Sequence, residues 1–256
     1  MRKRFNRRRF FKLGLAGLQL LAVGDAALVE PHWLKVNQLR LANGPPVARF
    51  VHFTDLHHKG NRRWLASVVA RINALKPDFV CFSGDIIEER EHLPEALEIL
   101  LGIQAPLFGV PGNHDYWSRA DFGAIARAFA ATGGAWLLDA SVIAPGGRVR
   151  LHGLTCETPA VLPPETGVKN ILLAHYPAWC EKLAPHRYDL LLAGHSHGGQ
   201  VRLPFYGALV VPYGVGPYEL GRFATPAGPL YVGAGIGWFH INLRFCCRPE
   251  ITLIEI

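Results

Sequence analysis

The amino-acid sequence predicts an α/β domain in which two β-sheets pack together with helices outside. The chain has 256 residues, half of them apolar, which is enough for one sizeable core. Strand and helix patterns alternate over the first half, as they do in βαβ units. Shorter strand patterns follow one another over the second half. Together these observations favour two packed sheets with outer helices.

The first half contains three strand-and-helix units. The first strand pattern, VARFVHFT, alternates and then becomes fully apolar, as a strand entering a buried sheet does. Ligand sites in such units lie beyond the carboxyl ends of the strands, so polar residues that follow these strands are candidates for function. The predicted units are strand 47–54 with helix 64–72, strand 78–83 with helix 93–101, and strand 106–110 with helix 119–131.

The second half is dominated by short strands. Only one stretch in it has a helical pattern, near residues 178–184. This change of character is the reason for expecting a second sheet rather than more βαβ units. The predicted strands are 135–138, 141–144, 148–154, 170–174, 189–193, 209–212, 229–232 and 250–255.

The net charge of +7 is concentrated at the N-terminus. Seven of the 27 Lys and Arg residues lie within residues 1–12, which contain no acid, so the remaining chain has 20 basic and 20 acidic residues. A neutral body gives no electrostatic case for a nucleic-acid-binding face. We therefore expect no specific nucleic-acid partner, and a nuclease is disfavoured.

The N-terminal segment has the pattern of an export signal or a membrane anchor. A basic stretch precedes an apolar run from Leu13 to Gly24, which is short for a membrane-spanning helix of about 20 residues. NRRRFFK, with Arg7 and Arg8 as its pair, resembles the twin-arginine export consensus. We expect residues 1–28 to be this signal or an anchor, 29–46 a linker and 47–256 the catalytic domain. The export machinery would be a partner, and the protein would reach the periplasm or cell envelope.

Side chains able to bind metals follow five of the predicted strands. Imidazole and carboxylate together suit Mn, Fe or Zn, whereas an all-oxygen set would favour Mg or Ca. Seven candidate ligands exceed one tetrahedral site and suit two ions that share a bridging carboxylate. The residues are Asp55 and His57 in TDLHHKG, Asp85 in SGDIIEE, Asn113 beside His114 in VPGNHDYW, His175 in LLAHYP, and His195 with His197 in GHSHGGQ.

These five motifs, in this order, resemble the calcineurin-like metallophosphoesterase superfamily over about residues 47–256. The resemblance implies a four-layer α-β-β-α sandwich of two mixed sheets flanked by helices, with two divalent cations, Mn, Zn or Fe. It also implies that His114, a histidine that is not a ligand, faces the scissile phosphate and takes part in catalysis. In the implied ligand sets, Asp55, His57, Asp85 and His197 hold one ion, while Asp85, Asn113, His175 and His195 hold the other.

The resemblance implies a phosphohydrolase, and the closing GHSHGGQ and RFCCRPEITLIEI are similar to the exported bacterial phosphodiesterase branch. The expected reaction is in-line attack on phosphorus by a metal-bridging hydroxide. Substrates would be small phosphoesters or phosphoesters of lipid or cell wall, at or beyond the inner membrane. Two alternatives stay open: a pyrophosphatase acting on a nucleotide-linked acyl sugar of lipid A synthesis, and a catalytically silent metal-binding interaction module. The sequence assigns no substrate-binding residue.

Overall fold

The computed structural model describes residues 7–256. Asn6 and the side chains of Arg7, Arg9 and Phe10, which belong to the twin-arginine-like motif, lie outside the described part of the chain. The helices are α1 (Arg7–Gly24), α2 (Arg62–Ala74), α3 (Leu93–Leu100), α4 (Asn113–Trp117) and α5 (Phe122–Ala131). The strands are β1 (Lys35–Arg40), β2 (Arg49–Phe53), β3 (Phe79–Phe82), β4 (Leu107–Gly109), β5 (Ala135–Trp136), β6 (Ala140–Ile143), β7 (Val149–Gly153), β8 (Lys169–Leu173), β9 (Leu190–Ala193), β10 (Arg202–Leu203), β11 (Gly207–Ala208), β12 (Gly221–Thr225), β13 (Gly228–Val232) and β14 (Glu250–Glu255).

Two six-stranded mixed sheets form the centre of the protein. The first has the order β1-β14-β2-β3-β4-β5 and the second β12-β13-β9-β8-β7-β6. The strands that carry the site run parallel within each sheet, β2 with β3 and β4, and β8 with β9. Their carboxyl ends therefore meet at one edge. A separate two-stranded hairpin, β10-β11, follows β9 in the chain.

The faces between the sheets are apolar on both sides. Phe50, Phe79 and Phe108 of the first sheet belong to one buried cluster with Leu151 and Ile171 of the second. The rings of Phe50 and Phe79 stack with centroids 4.8 Å apart. Strands buried on both faces read as continuous apolar runs, which explains the FVCF of β3. This packing fixes the two sets of strand ends relative to each other.

Helices cover the outer faces of the two sheets unequally. The amphipathic helices α2, α3 and α5 cover the first sheet through a large buried cluster. The second sheet is covered by a 3-10 helix, Pro177–Lys182, whose Cys180 packs in a smaller buried cluster. The predicted four-layer order of two mixed sheets flanked by helices is thus confirmed, with a thin fourth layer.

The structure differs from the sequence-based expectations at several elements. The stretch 29–46, expected to be a linker, contains β1, which pairs in parallel with β14 at the edge of the first sheet. The predicted strand at 209–212 is wrong, because these residues form an irregular loop after the hairpin. Neither β12 nor the five-residue helix α4 was predicted. Short edge strands and one-turn helices carry too few residues for periodicity to identify them.

The N-terminal helical segment is longer than the apolar run alone suggests. A π-helical turn and a 3-10 turn continue α1 to His32. Phe11–His32, 22 residues of mean hydropathy 1.5, is thereby long and apolar enough to cross a membrane by length and composition. Its apolar side chains, such as Leu20 and Leu21, are exposed.

Substitution of one buried aromatic residue tests the packing of α5 on the first sheet. Phe129 is fully buried and lies against the ring of Trp136, with centroids 5.0 Å apart. We expect Phe129→Ala to lower the free energy of unfolding by about 3 to 5 kcal/mol, because it removes buried area and leaves a cavity. Chemical denaturation of the full chain measures this. The exposed Leu101 is the control, and Leu101→Ala should change the free energy by less than about 0.5 kcal/mol. Equal effects of the two substitutions would contradict the packing described here.

Candidate metal centre

The ends of five strands bring the predicted ligand residues to one edge of the sandwich. Both sheets contribute, so the centre forms only when the two sheets are packed together. All seven predicted ligands are buried. Asp55 and His57 follow β2, Asp85 follows β3, Asn113 begins α4 after β4, His175 follows β8, and His195 and His197 follow β9.

The first group of donor atoms contains Asp55, His57 and His197. The Nε2 atoms of His57 and His197 face each other at 3.0 Å. Asp55 Oδ1 lies 3.5 Å from Nε2 of His197. Three ligand atoms of these residues lie within 4.8 Å of one another, a spacing that fits a bound cation.

The second group contains Asn113, His175 and His195. His175 Nε2 lies 2.9 Å from Asn113 Oδ1 and 3.1 Å from His195 Nδ1. Asp85 lies between the two groups, with Oδ2 3.3 Å from His57 Nε2 and 3.2 Å from His175 Nε2. One carboxylate oxygen therefore faces both groups.

Buried polar atoms at the centre fit a pair of cations. Asp85 Oδ2 and Asn113 Nδ2 are buried and have no hydrogen-bond partner by geometry. Two imidazole nitrogens that face each other at 3.0 Å need a proton or a cation between them, since two lone pairs repel. The donor set combines imidazole, carboxylate and amide oxygen, which suits Mn, Zn or Fe.

Oxygen acceptors orient three of the histidines toward the centre. The Nδ1 of His175 donates to Ser83 O at 2.8 Å, and the Nε2 of His195 donates to Tyr213 O at 2.7 Å. His57 Nδ1 lies 2.6 Å from a carboxylate oxygen of Glu88. Each of these contacts leaves the opposite ring nitrogen for the centre, as is usual for metal-binding histidines.

The buried Asp115 holds the turn that carries Asp85. Its carboxylate accepts hydrogen bonds from the backbone N–H groups of Asp85, Ile86 and Gly112 at 2.9 to 3.0 Å. The backbone of Gly112 comes so close that a Cβ atom there would lie 2.0 Å from Asp85 Oδ1. His114 N–H donates to the same Oδ1 at 2.8 Å. These contacts leave only Oδ2 of Asp85 to face the ligand groups.

Five of the centre's residues have left-handed backbone conformations that non-glycine residues rarely adopt. Such strain persists only where the surrounding structure enforces it, and it is typical of functional sites. The packed sheets enforce it here, because each residue sits where a buried strand turns abruptly. The φ angles are 51° for Asp55, 40° for His57, 64° for Asp85, 66° for His195 and 49° for His197.

The electrostatic field of the centre favours positive charge beside Asp85. Burial lowers the pKa of His57, but the carboxylates of Asp85 and Glu88 outweigh burial and raise it to about 9. Burial likewise lowers the pKa of His175, and the charge of Asp85 raises it to about 9. Burial and the charge of His175 lower the pKa of His195 to about 3. A carboxylate that draws protons to two imidazoles also draws divalent cations to them.

A cavity of about 380 Å³ opens onto this centre. His114, predicted to be catalytic, lines it without belonging to either ligand group, and its Nδ1 lies 3.3 Å from Glu88 Oε1. The rings of Trp117 and Phe239 flank His114, with centroids 4.8 and 5.3 Å away. The structure therefore places an oriented imidazole in the cavity wall, beside predicted ligands that line the same cavity.

Sequence reasoning missed most of the cavity wall. Val210, Tyr213, Phe239 and His240 line it, and none was singled out as a site residue. They lie in irregular segments outside the predicted metal-binding motifs, so no motif spacing reveals them. The one available signal was the density of aromatic residues between 205 and 240 in a chain segment with few predicted strands.

Comparison with known proteins identifies the family. The family model described as calcineurin-like phosphoesterase matches residues 48–199. The chain is 28% identical to the uncharacterized metallophosphoesterase YkuE of Bacillus subtilis, over 99% of this chain and 98% of that protein. It is 29% identical to phosphodiesterase YaeI of Escherichia coli, with 98% and 99% covered. It is 25% identical to the UDP-2,3-diacylglucosamine pyrophosphatase LpxG of Chlamydia trachomatis, with 89% and 90% covered. The chain therefore belongs to the calcineurin-like phosphoesterase family and is a metallophosphoesterase.

Proposed function

We propose that this enzyme is a dinuclear metal-dependent phosphodiesterase that acts at or beyond the inner membrane. The observation that carries the proposal is the position of Asp85 Oδ2, which faces two separate donor groups. Asp55, His57 and His197 would hold one cation with Asp85, and Asn113, His175 and His195 the other. Two bound divalent cations would supply an activated water near neutral pH and neutralise charge on the phosphate.

The protein's own groups would bind and orient the phosphoester in the cavity. Glu88 Oε1 lies 3.3 Å from Nδ1 of His114, and the imidazolium form of this ring would donate from Nε2 to a phosphoryl or leaving oxygen. The unpaired amide N–H of Asn113 is a second donor for a phosphoryl oxygen. The rings of Trp117 and Phe239 line the cavity beside His114 and would contact the bound ester.

The cavity favours a diester over a phosphoprotein monoester. Its apolar rim, formed by Val210, Tyr213 and Phe239, offers a contact surface for a second ester group. Similarity over nearly the whole chain to a protein named as a phosphodiesterase supports the same substrate class. The similarity to LpxG supports the alternative, pyrophosphate cleavage in a nucleotide-linked acyl sugar. The apolar rim would suit the acyl chains of that substrate as well.

We also propose that α1 remains attached as a membrane anchor and that the catalytic domain lies outside the inner membrane. The seven basic residues within 1–12 keep the N-terminus in the cytoplasm by the positive-inside rule. Ala26 O accepts from the backbone N–H of Arg244 at 2.9 Å, and the buried Glu30 carboxylate accepts from Cys246 N at 2.9 Å. Cleavage after Ala26 or Ala27 would remove the first of these contacts, which favours an anchor over a removed signal.

Metal-dependent diester hydrolysis is the direct test of the proposed reaction. The full chain, stripped of metal and given Mn, Zn, Fe or Mg singly, should hydrolyse bis-p-nitrophenyl phosphate faster than the monoester. We expect Asp85→Ala to lose both bound metal and activity, because it removes the shared ligand. His114→Ala should keep its metal and lose activity by about a hundredfold to ten-thousandfold, since it removes a donor to the leaving oxygen.

His186→Ala is the matched control, because this histidine lies outside the cavity lining. It should leave metal content and turnover unchanged. A wild-type enzyme that binds two ions and cleaves neither ester would contradict the diesterase proposal. Cleavage of a UDP-linked diacyl sugar by the same preparation would then favour the pyrophosphatase.

Metal affinity should rise with pH from 6.5 to about 9. The pKa values of His57 and His175 are raised from 6.5 to about 9, so protons occupy these nitrogens below that pH and compete with the cation. As pH rises through the raised pKa, the imidazoles become neutral and bind metal more tightly. Calorimetric titration with Mn²⁺ in buffers of different ionisation enthalpy measures the affinity and the protons released. An affinity independent of pH in this window would refute the assigned ligands.

The export route is tested by substitutions that keep the charge. Arg7→Lys together with Arg8→Lys preserves the basic segment but removes the arginine pair that the twin-arginine machinery requires. We expect the variant to stay on the cytoplasmic side, which protease treatment of spheroplasts reveals as protection of the catalytic domain. The control Arg2→Lys with Arg4→Lys should be digested like the wild type. Digestion of the Arg7 and Arg8 variant would exclude this export route.

A further inference from the structure

Exposed apolar side chains surround the hairpin β10-β11, directly beside the cavity. Phe205 at its tip is fully exposed, and Tyr206 and Val210 are 74% and 77% exposed. Leu203 and Leu209 extend the same surface. We name the segment 203–213 the apolar loop. Contiguous exposed apolar surface of this kind marks a contact with a partner or a membrane.

The end of the N-terminal helix is fixed close to the base of this loop. The backbone N–H of Arg244 donates to Ala26 O at 2.9 Å, and the next residue, Phe245, accepts from Arg202 N at 2.9 Å. Phe245 N also donates to Gln200 O at 2.9 Å. A single stretch of chain therefore connects the helix end with the base of the hairpin.

The joint between helix and domain is too well fixed for the helix to be a loose tether. The Glu30 carboxylate is buried and accepts from the backbone N–H groups of Cys246 and Cys247. Five residues later, Lys35 N–H donates to Pro249 O at 2.7 Å and β1 enters the sheet. The direction in which the helix leaves the domain is therefore set by the fold.

The helix leaves from the catalytic edge of the sandwich. β14 runs antiparallel to β2, so the start of β14 lies at the edge where β2 ends and delivers Asp55 and His57. β1 runs parallel to β14, so its start, next to the helix, lies at that same edge. The helix thus joins the domain at the edge that carries the cavity.

Trp33, the residue after the helix, is of a type that is common at membrane interfaces. Trp33 is 56% exposed, and the guanidinium of Arg248 lies 3.8 Å from its ring centroid. Tryptophan with a cation beside it is typical of the headgroup level, where an amphipathic ring has one apolar and one polar neighbourhood. This pair marks the plane at which the helix would enter the bilayer.

We propose that the apolar loop inserts into the bilayer that holds α1, and that the cavity takes phosphodiesters embedded in that membrane. Phe205 and Tyr206 would lie at the level of the acyl chains, as aromatic residues of interfacial segments do. The wall formed by Val210 and Tyr213 continues from the loop into the cavity, so a lipid phosphate would reach His114 without leaving the interface. The substrate part of this proposal rests on the proposed phosphodiesterase function, whereas the docking part stands without it.

Photo-cross-linking tests the docking independently of activity. The full chain, with benzoylphenylalanine in place of Phe205, is reconstituted in vesicles of phosphatidylethanolamine and phosphatidylglycerol and irradiated. We expect lipid adducts on the peptide that contains position 205, detected by mass spectrometry. The positive control carries the label at Leu18, within the helix, and the negative control at Leu101, which is exposed at the end of α3 on the opposite edge. Adducts at position 18 without adducts at position 205 would overturn the proposal.

A pair of chromogenic diesters tests the substrate class. Ethyl p-nitrophenyl phosphate and hexadecyl p-nitrophenyl phosphate undergo the same bond cleavage, but only the second partitions into vesicles. We expect the wild type to prefer the hexadecyl ester and Phe205→Ser with Tyr206→Ser to lower kcat/KM for it by about tenfold. The ethyl ester should be cleaved at an unchanged rate, since these side chains lie outside the cavity. Leu101→Ser is the matched control and should change neither rate.

The possible outcomes distinguish failure of the membrane proposal from failure of the proposed phosphodiesterase function. A wild type that cleaves neither diester refutes the diesterase function, and the cross-linking result still decides the docking. Cleavage of the ethyl ester with no preference for the hexadecyl ester refutes the membrane-embedded substrate. If the double variant lost kcat/KM equally for both esters, the loop would support the structure of the site. That result would also refute the membrane-embedded substrate.

Discussion

The placement of one buried carboxylate, that of Asp85, is the constraint on which the rest of the centre depends. Its Oδ2 must face an imidazole from each sheet, His57 and His175, so the two sheets have to meet at a fixed spacing. A buried, unpaired carboxylate is costly, and the cost is offset only by positive charge close by. Asp115 supports the arrangement from behind by fixing the backbone of the same turn. The balance of charge at the centre therefore depends on how the two sheets pack.

The apolar core explains how the fold tolerates such a centre. The turns at Asp55, Asp85 and His195 adopt left-handed conformations, which oppose folding locally. Buried strands precede them, and the stacked rings of Phe50 and Phe79, on the inner face of the first sheet, anchor the two strands before Asp55 and Asp85. Strain is thus confined to the strand ends, where backbone leaves the sheet, while the stabilising contacts lie within it.

The sequence predicts that the seven candidate ligands lie close together, and the reason is a general rule. Asp85 and His195 follow short, fully apolar strands within three residues, and parallel strands end at one edge, so their proximity needs no knowledge of tertiary detail. The edge strand β1 escaped prediction because its KVNQLR has no clear apolar face, and its pairing with β14 depends on a partner more than 200 residues away. The cavity wall at Val210 and Phe239 was missed for the same reason, since irregular segments meet there only after the sheets have packed.

A single buried arginine links the two regions that sequence reasoning treated as separate. The guanidinium of Arg244 donates to the carbonyl oxygens of Ala234 and Cys247, while its backbone N–H donates to the helix end. The same loop continues to Gly237, whose N–H donates to Asp55 O at 2.7 Å. The guanidinium also donates to Gly237 O, so one side chain fixes both the loop beneath Asp55 and the segment that receives the helix. Because a buried guanidinium needs all of these acceptors, the helix joint and the centre cannot move independently of each other.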